Sequence, residues 1–215
     1  MTLNICEIFF SLQGESTFSG LPCIFVRLAG CNLNCSYCDT EYARTESTPI
    51  PVNTILDKIR SYRCALVEIT GGEPLIQQNT IHLIAILIEN GYTVLLETNG
   101  SLSLQAVPAE CIKIVDIKCP SSGEAHRNRA ENLPLLSGSD EIKFVVGDRE
   151  DFEYAKSFIL EKRAPEVPKE KTHLSPVFNR LDPEKLASWI LKDRLDARLS
   201  MQLHKVIWNS DKRGV

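Results

Sequence analysis

The sequence predicts an α/β fold, a partial, open (β/α) barrel of mostly parallel strands. Strand-like and helix-like patterns alternate along almost the whole chain, as parallel strands covered by helices require. Six or seven such strand segments are enough to curve a sheet part of the way round a barrel. A length of 215 residues with 43% hydrophobic content suits one domain, 1–215, with a sizeable core.

Residues 22–29 (PCIFVRLA) read as a strand. Residues 52–62 carry Val52, Ile55, Leu56, Ile59 and Tyr62 at helical spacing, so they read as a helix. A strand at 65–70 is broken by GGEP. Residues 79–89 are nearly all apolar and stop at Asn90-Gly91, a helix end. Strand 92–97, the turn Asn99-Gly100, strand 111–118 and strand 141–146 follow. Asp148 can cap a helix carrying Phe152, Ala155 and Ile159. Asp182-Pro183 opens another, with Leu186, Trp189 and Ile190 on one face. Residues 197–203 read as a last strand. The polar 119–139 stretch and the Pro- and charge-rich 163–171 stretch are expected to be surface loops.

Composition narrows the function. Lys and Arg number 24 against 28 Asp and Glu, a net charge of −4. This mild acidic balance argues against nucleic acid or an anionic membrane as partner. No apolar run approaches the roughly 18 residues of a membrane span. The start, MTLNICEIFF, has no basic segment before an apolar stretch and makes a poor signal peptide. The expected location is the cytoplasm.

Eight cysteines stand at 6, 23, 31, 35, 38, 64, 111 and 119. A disulfide scaffold would be shorter, loop-rich and exported. Cys31, Cys35 and Cys38 follow the 22–29 strand directly, and their thiolates can converge on one metal centre. A structural zinc site wants four ligands, and an iron–sulfur cube normally wants four cysteines. Three would leave one iron open to a substrate. A zinc knuckle completed by a distant His or Cys is the competing reading, although no His lies near the loop. Cys6, Cys23, Cys64, Cys111 and Cys119 read as small buried hydrophobes.

A second motif, Thr70-Gly71-Gly72-Glu73-Pro74, closes the 65–70 strand. Its glycines let the backbone come close to a ligand. Strand alternation sorts the charges. Phe25 and Arg27 share a face, as do Leu66, Glu68 and Thr70; Thr93, Leu95 and Glu97; Ile112, Ile114, Asp116 and Lys118; and Glu141 with Lys143. Charges facing one interior are costly unless paired or bound to something. Any single one could belong to an ion pair; the set reads as a polar ligand pocket.

With Tyr37 before its last cysteine, and with GGEP downstream, the CxxxCxxC loop resembles the radical S-adenosylmethionine (SAM) superfamily. The resemblance implies a [4Fe–4S] cluster on Cys31, Cys35 and Cys38. SAM would chelate the open iron, and one electron would split it to a 5′-deoxyadenosyl radical. The implied SAM contacts are Tyr37, Cys38, Asp39, Gly72, Glu73, Asp116, Ile117, Lys118, Ser175 and Pro176, with Glu73 receiving the SAM ammonium. No side chain is then catalytic, since the cofactor carries the radical.

A narrower likeness covers nearly the whole chain. SLQGES from Ser11, Gly20-Leu21-Pro22, FVRLAGC from Phe25, Cys38-Asp39-Thr40, and Gln202-Leu203-His204-Lys205 with Trp208 are similar to the 7-carboxy-7-deazaguanine synthase family. That likeness implies contraction of 6-carboxy-5,6,7,8-tetrahydropterin to 7-carboxy-7-deazaguanine with loss of ammonia, on the way to queuosine. It implies Mg2+ on Thr40, a homodimer, and a flavodoxin or ferredoxin as reductant. The substrate contacts it implies are Leu12, Gln13, Gly14, Glu15, Arg27, Thr70, Glu97 and His204. Amides and carboxylates such as Gln13 and Glu15 suit the amidine-like edge of a pterin. Arg27 suits its carboxylate. His204, expected at the end of the last strand, can bond the ring. Simpler roles compete: Thr40 as a helix cap, and Arg27 as a partner of Glu68. An activase for glycyl-radical enzymes shares the cysteine loop, and a zinc-stabilised binding module shares the cysteines alone. The polar tail 209–215 receives no role.

Overall fold

The computed structural model describes residues 1–161, 166–209 and 212–215. β1 (Thr2–Leu12) pairs antiparallel with β2 (Pro22–Leu28) on one side and with β3 (Thr48–Pro51) on the other. α1 (Val52–Ser61) leads to β4 (Leu66–Gly71), and α2 (Asn79–Glu89) to β5 (Thr93–Thr98). β6 (Ile112–Asp116) and β7 (Glu141–Val146) follow. α3 (Arg149–Glu161) precedes β8 (Thr172–Pro176), and α4 (Pro183–Asp193) precedes β9 (Arg198–Leu199) and α5 (Leu203–Ile207).

The nine strands form one sheet in the order β3-β1-β2-β4-β5-β6-β7-β8-β9, parallel from β2 to β9. This is the open, mostly parallel barrel the alternating pattern predicts, with β1 and β3 added at its amino-terminal edge and β8 between β7 and β9, none of which the pattern marks. β1 escapes a period-two reading because its register shifts between Ile5 and Glu7, which breaks the alternation. β3 holds Pro49 and Pro51, which read as turn residues. At an edge, a missing N–H costs no ladder bond.

Local chemistry starts and stops the helices as the sequence suggests. Asp148 Oδ1 accepts from the Asp151 amide at 3.0 Å, ahead of α3. Asp182 accepts from the Glu184 amide at 2.9 Å, with Pro183 at the first position of α4. Gly91 takes φ 82° to end α2. The outer faces of the strands (Ile24, Val26, Leu28, Val67, Ile69, Val94, Leu96) pack against the helices in one large core.

Two expectations are corrected. The last strand is only Arg198–Leu199, and Leu203–Ile207 is helical. The 119–139 stretch is not merely a surface loop. It forms three 3-10 turns, and Cys119, Ser122, Asn132, Leu133 and Leu136 are buried. The Asn132 amide donates to the carbonyls of Gly100 and Leu102 and accepts from the Leu104 amide, so a polar residue serves as an interior staple. Residues 163–165 of the expected 163–171 loop lie outside the described residues; beyond them Val167 is buried. Cys23, Cys111 and Cys119 are buried as expected, whereas Cys6 and Cys64 are only partly covered.

No helix among the described residues is long and apolar enough to cross a membrane.

Candidate active site

The carboxyl ends of β2 and β4 to β8 surround a cavity of about 580 Å3. On the inner face of four successive strands an apolar residue precedes a polar one by two places. The pairs are Phe25 and Arg27, Leu66 and Glu68, Leu95 and Glu97, and Ile114 and Asp116. The apolar members, with Cys23, form a second core that plugs the barrel floor. The polar members line the cavity above it. Period-two alternation thus builds both a dry floor and a charged tier.

Cys31, Cys35 and Cys38 line this cavity from the loop after β2. The loop is held from outside itself. The Ser36 amide donates to Ser122 O at 3.0 Å, its hydroxyl to Ser121 O at 2.7 Å, and the Asn34 amide to Glu124 Oε1 at 2.8 Å. The segment expected to be a surface loop is therefore the buttress of the cysteines. Among the described residues, no three His, Cys, Asp or Glu side chains gather as a single ion would require. A cube asks for something else, one thiolate on each of three irons, and three thiols around one cavity fit that demand. Burial pushes the Cys35 and Cys38 thiols up, with Lys118 opposing at Cys35 and a backbone bond from Thr40 opposing at Cys38. Ligation is what would deprotonate them.

The Gly71-Gly72 turn lies directly on this loop. A side chain at Gly72 would overlap Gly30 O and crowd Cys31 Cβ. Glu73 departs from expectation. Its carboxylate is fully buried and accepts from the Leu75 amide (3.0 Å), the Asn99 amide (2.7 Å) and the Thr98 hydroxyl (2.9 Å). It braces the ends of β4 and β5 and does not line the cavity. Ile117 also turns into the outer core, while Ser175 and Pro176 are buried beside the cavity and do not line it. Tyr37, Asp39, Asp116 and Lys118 do line it. Asp116 Oδ2 accepts from Lys118 at 2.8 Å, but Asp116 Oδ1 is buried with no partner. That orphaned acceptor beside the thiols fits an ammonium or hydroxyl donor such as SAM carries.

Leu12, Gln13, Gly14, Glu15, Arg27, Thr70, Glu97 and His204 all line the same cavity. Arg27 is held through Nε by Glu7 Oε1 at 2.7 Å, not by Glu68. Gln13 donates to Glu68. Glu15 accepts from Lys143 at 2.7 Å and from Gln202 at 2.9 Å. Burial would raise its pKa, but Lys143 and Gln202 together lower it to about 2. Thr40 makes no side-chain cap; its hydroxyl donates to Asp39 Oδ1 at 2.9 Å. That bond leaves lone pairs free for a hard cation. His204 comes from α5, not from a strand end, and burial lowers its basicity.

Lys143, placed in the polar pocket by alternation but given no ligand role, lines the cavity, as do Asn99, Gln202, Lys205 and Phe178, which sequence alone did not single out. The signal for Lys143 was present, since it shares the inner face of β7 with Glu141. Gln202 and Lys205 lay inside the QLHK segment. Asn99 was hidden in its turn. From the tail, Val215 reaches the cavity and Arg213 stacks on Tyr42 at 3.7 Å, whereas Ser210 and Asp211 lie outside the described residues.

A three-cysteine loop at the end of the first parallel strand, with a GG turn against it, defines a class. Residues 26–186 match the radical SAM superfamily, and the chain belongs to it. A 7-carboxy-7-deazaguanine synthase from Koribacter versatilis is 43% identical, over 99% of this chain and 100% of that protein. Another, from Chlorobaculum tepidum, is 45% identical over 99% and 97%. The crystal structure of QueE from Escherichia coli superposes with a TM-score of 0.76 at 26% identity, covering 95% of each chain. Within the superfamily, this chain is a member of the 7-carboxy-7-deazaguanine synthase family.

Proposed function

We propose that the chain, acting as one radical SAM domain, is a lyase that converts 6-carboxy-5,6,7,8-tetrahydropterin to 7-carboxy-7-deazaguanine and ammonia. The observation that carries this reading is one cavity shared by the cysteine loop and a tier of ring-reading polar groups. Cys31, Cys35 and Cys38 would hold the [4Fe–4S] cluster. Asp116, Lys118, Tyr37, Asp39 and the Gly72 backbone would hold SAM. Bound there, cluster and SAM supply the one-electron chemistry that starts the ring contraction.

The chain's own residues bind, orient and exclude water. Glu15, fixed at both oxygens, presents acceptors to the amidine-like edge, with Gln13 and Glu97 beside it. Arg27, anchored through Nε, offers its terminal nitrogens to the substrate carboxylate. His204, its basicity lowered by burial, presents an uncharged imidazole at neutral pH. The apolar floor of Phe25, Leu66, Leu95 and Ile114 keeps bulk water from below. Thr40 would hold Mg2+, a hard cation that would supply charge neutralisation at the substrate's oxygens. A homodimer, a flavodoxin or ferredoxin as electron donor, and a cytoplasmic location are parts of the same reading, and they rest on family likeness.

The test is anaerobic incubation of reconstituted protein with the pterin, SAM, Mg2+ and a reductant. A product with the mass of 7-carboxy-7-deazaguanine supports the reading, and its absence overturns it. In the same assay Thr40→Ala should lose most of the Mg2+ stimulation while keeping its iron.

A further inference from the structure

We propose that Lys143 is the positioning residue that makes this pocket select a ring with a guanidine-like edge, by holding Glu15 and Glu97 as fixed acceptors. The inference rests on the pterin reading above and deepens it. Lys143 reaches in from β7, and its side chain is 7% exposed. Its ammonium lies 2.7 Å from Glu15 Oε2 and pairs with Glu97 Oε1. Gln202 fixes the other oxygen of Glu15 at 2.9 Å. Glu97 touches the carboxyl of Glu68 on the adjacent strand, and Glu68 receives the Gln13 amide. Two carboxyl groups thus share one ammonium, and a third, Glu68, lies against one of them.

Three negative charges packed this closely above an apolar floor are not all retained. Glu68 is the member that yields: burial first, then the neighbouring Glu97, push it well above the ordinary carboxylate range. Lys143 stays charged, since Glu15, Glu97 and Asp116 outweigh the burial that opposes its charge. Lys118 and His204 stand beyond these groups.

An ionised carboxylate only accepts hydrogen bonds, whereas a protonated one donates. A 2-amino-4-oxo ring edge offers N–H donors at the exocyclic amine and the adjacent ring nitrogen. The same ring with oxygen at position 2 turns a lone pair toward the carboxylates. Without the ammonium, two acidic groups press on each other uncompensated and the set takes up a proton. One acceptor then becomes a donor, and the preference for the amino ring is lost.

The experiment titrates reconstituted, SAM-bound protein with 6-carboxypterin and with 6-carboxylumazine, its 2-oxo counterpart, by calorimetry. Wild type, Lys143→Met and Lys143→Arg are compared, each checked for folding by near-UV circular dichroism. Wild type should prefer the pterin by at least about tenfold, a modest value for a site built to pair with a substrate N–H. Lys143→Met should weaken pterin binding at least about tenfold and leave lumazine binding within about threefold. Lys143→Arg, which keeps the charge, should keep the preference. A Met variant that keeps the preference, or loses both rings equally, overturns the proposal. So does an Arg variant that loses the preference, and that arm together with wild type decides the matter if the Met variant does not fold. A wild type that binds the pterin without preference overturns this inference alone; one that binds neither ring overturns the pterin reading as well.

Discussion

Thr17 closes the barrel floor where the apolar plug gives out. β7 and β8 bring Glu141 and His173 to the inner face, where the neighbouring strands bring Leu95 and Ile114. Glu141 accepts from the Thr17 amide at 3.1 Å and from the Thr17 hydroxyl. His173 Nε2 lies 2.7 Å from Glu141 Oε2, without the alignment of a hydrogen bond. This clasp ties the loop carrying Gln13 and Glu15 to the far side of the sheet. Burial would raise the Glu141 carboxyl, but the neighbouring His173 and the bonds from Thr17 outweigh it and hold it below its usual range. A carboxyl lowered on folding stabilises above its unfolded value, and that contribution is lost as pH falls through the folded value. Glu141→Gln should cost about 1–3 kcal/mol at pH 7. In urea melts it should also show a shallower loss of stability between neutral pH and pH ~3 than wild type. An unchanged acid limb would count against the clasp. At this level the sequence was informative about residue type and face, but not about partners. Arg27 was on the expected face, yet its partner Glu7 lies 20 residues away on the strand alongside. GGEP marked the right turn, yet it could not reveal that Thr98 and Asn99 would claim the Glu73 carboxylate.

The docking of α5 shows how an element is set by distant contacts. The Leu203 amide donates to Gly14 O at 2.8 Å, and a side chain on Gly14 would overlap the His204 ring. Lys205 adds an ion pair to Asp39 at 2.6 Å. These contacts pull the chain out of the sheet after two residues of β9, which is why the strand expected at 197–203 stops early. Local β-propensity carried no trace of them. Gly14→Ala should displace α5. The expected result is a KM for the pterin raised at least about tenfold, equivalent to about 1.4 kcal/mol, with iron content unchanged. A variant with wild-type KM would show that the contact is not needed. The elements with strong periodicity, from α1 through α4 and from β4 through β7, were legible to within a few residues. β1, β3 and β8 were not: a bulge and two prolines erase the alternation in the first two, and β8 is only five residues, buried on both faces and mixed in polarity.

Across the molecule, one strand order accounts for both stability and chemistry. Seven parallel strands bring their carboxyl ends to one rim. The outer core holds the helices on, and the inner plug seals the floor below the charged tier. The cysteine loop has no regular structure of its own, and it is fixed by the 3-10 turns at Pro120–Ser122 and Ala125–Arg127 beside it. Those turns explain why a stretch that looks like dispensable loop is partly buried. Seventeen of the expected site positions meet in the cavity, while Glu73, Ile117, Ser175 and Pro176 do not. The exceptions lie at strand ends, where one residue of register decides between cavity and core.

The most direct measurement is the electron paramagnetic resonance spectrum of the anaerobically reconstituted, reduced protein, recorded with and without SAM. Three protein thiolates and one open iron predict about four irons per chain, in keeping with a [4Fe–4S] cube, and a signal that changes when SAM binds. A colourless protein holding zinc, or a cluster signal indifferent to SAM because a fourth side chain occupies the open corner, would contradict it.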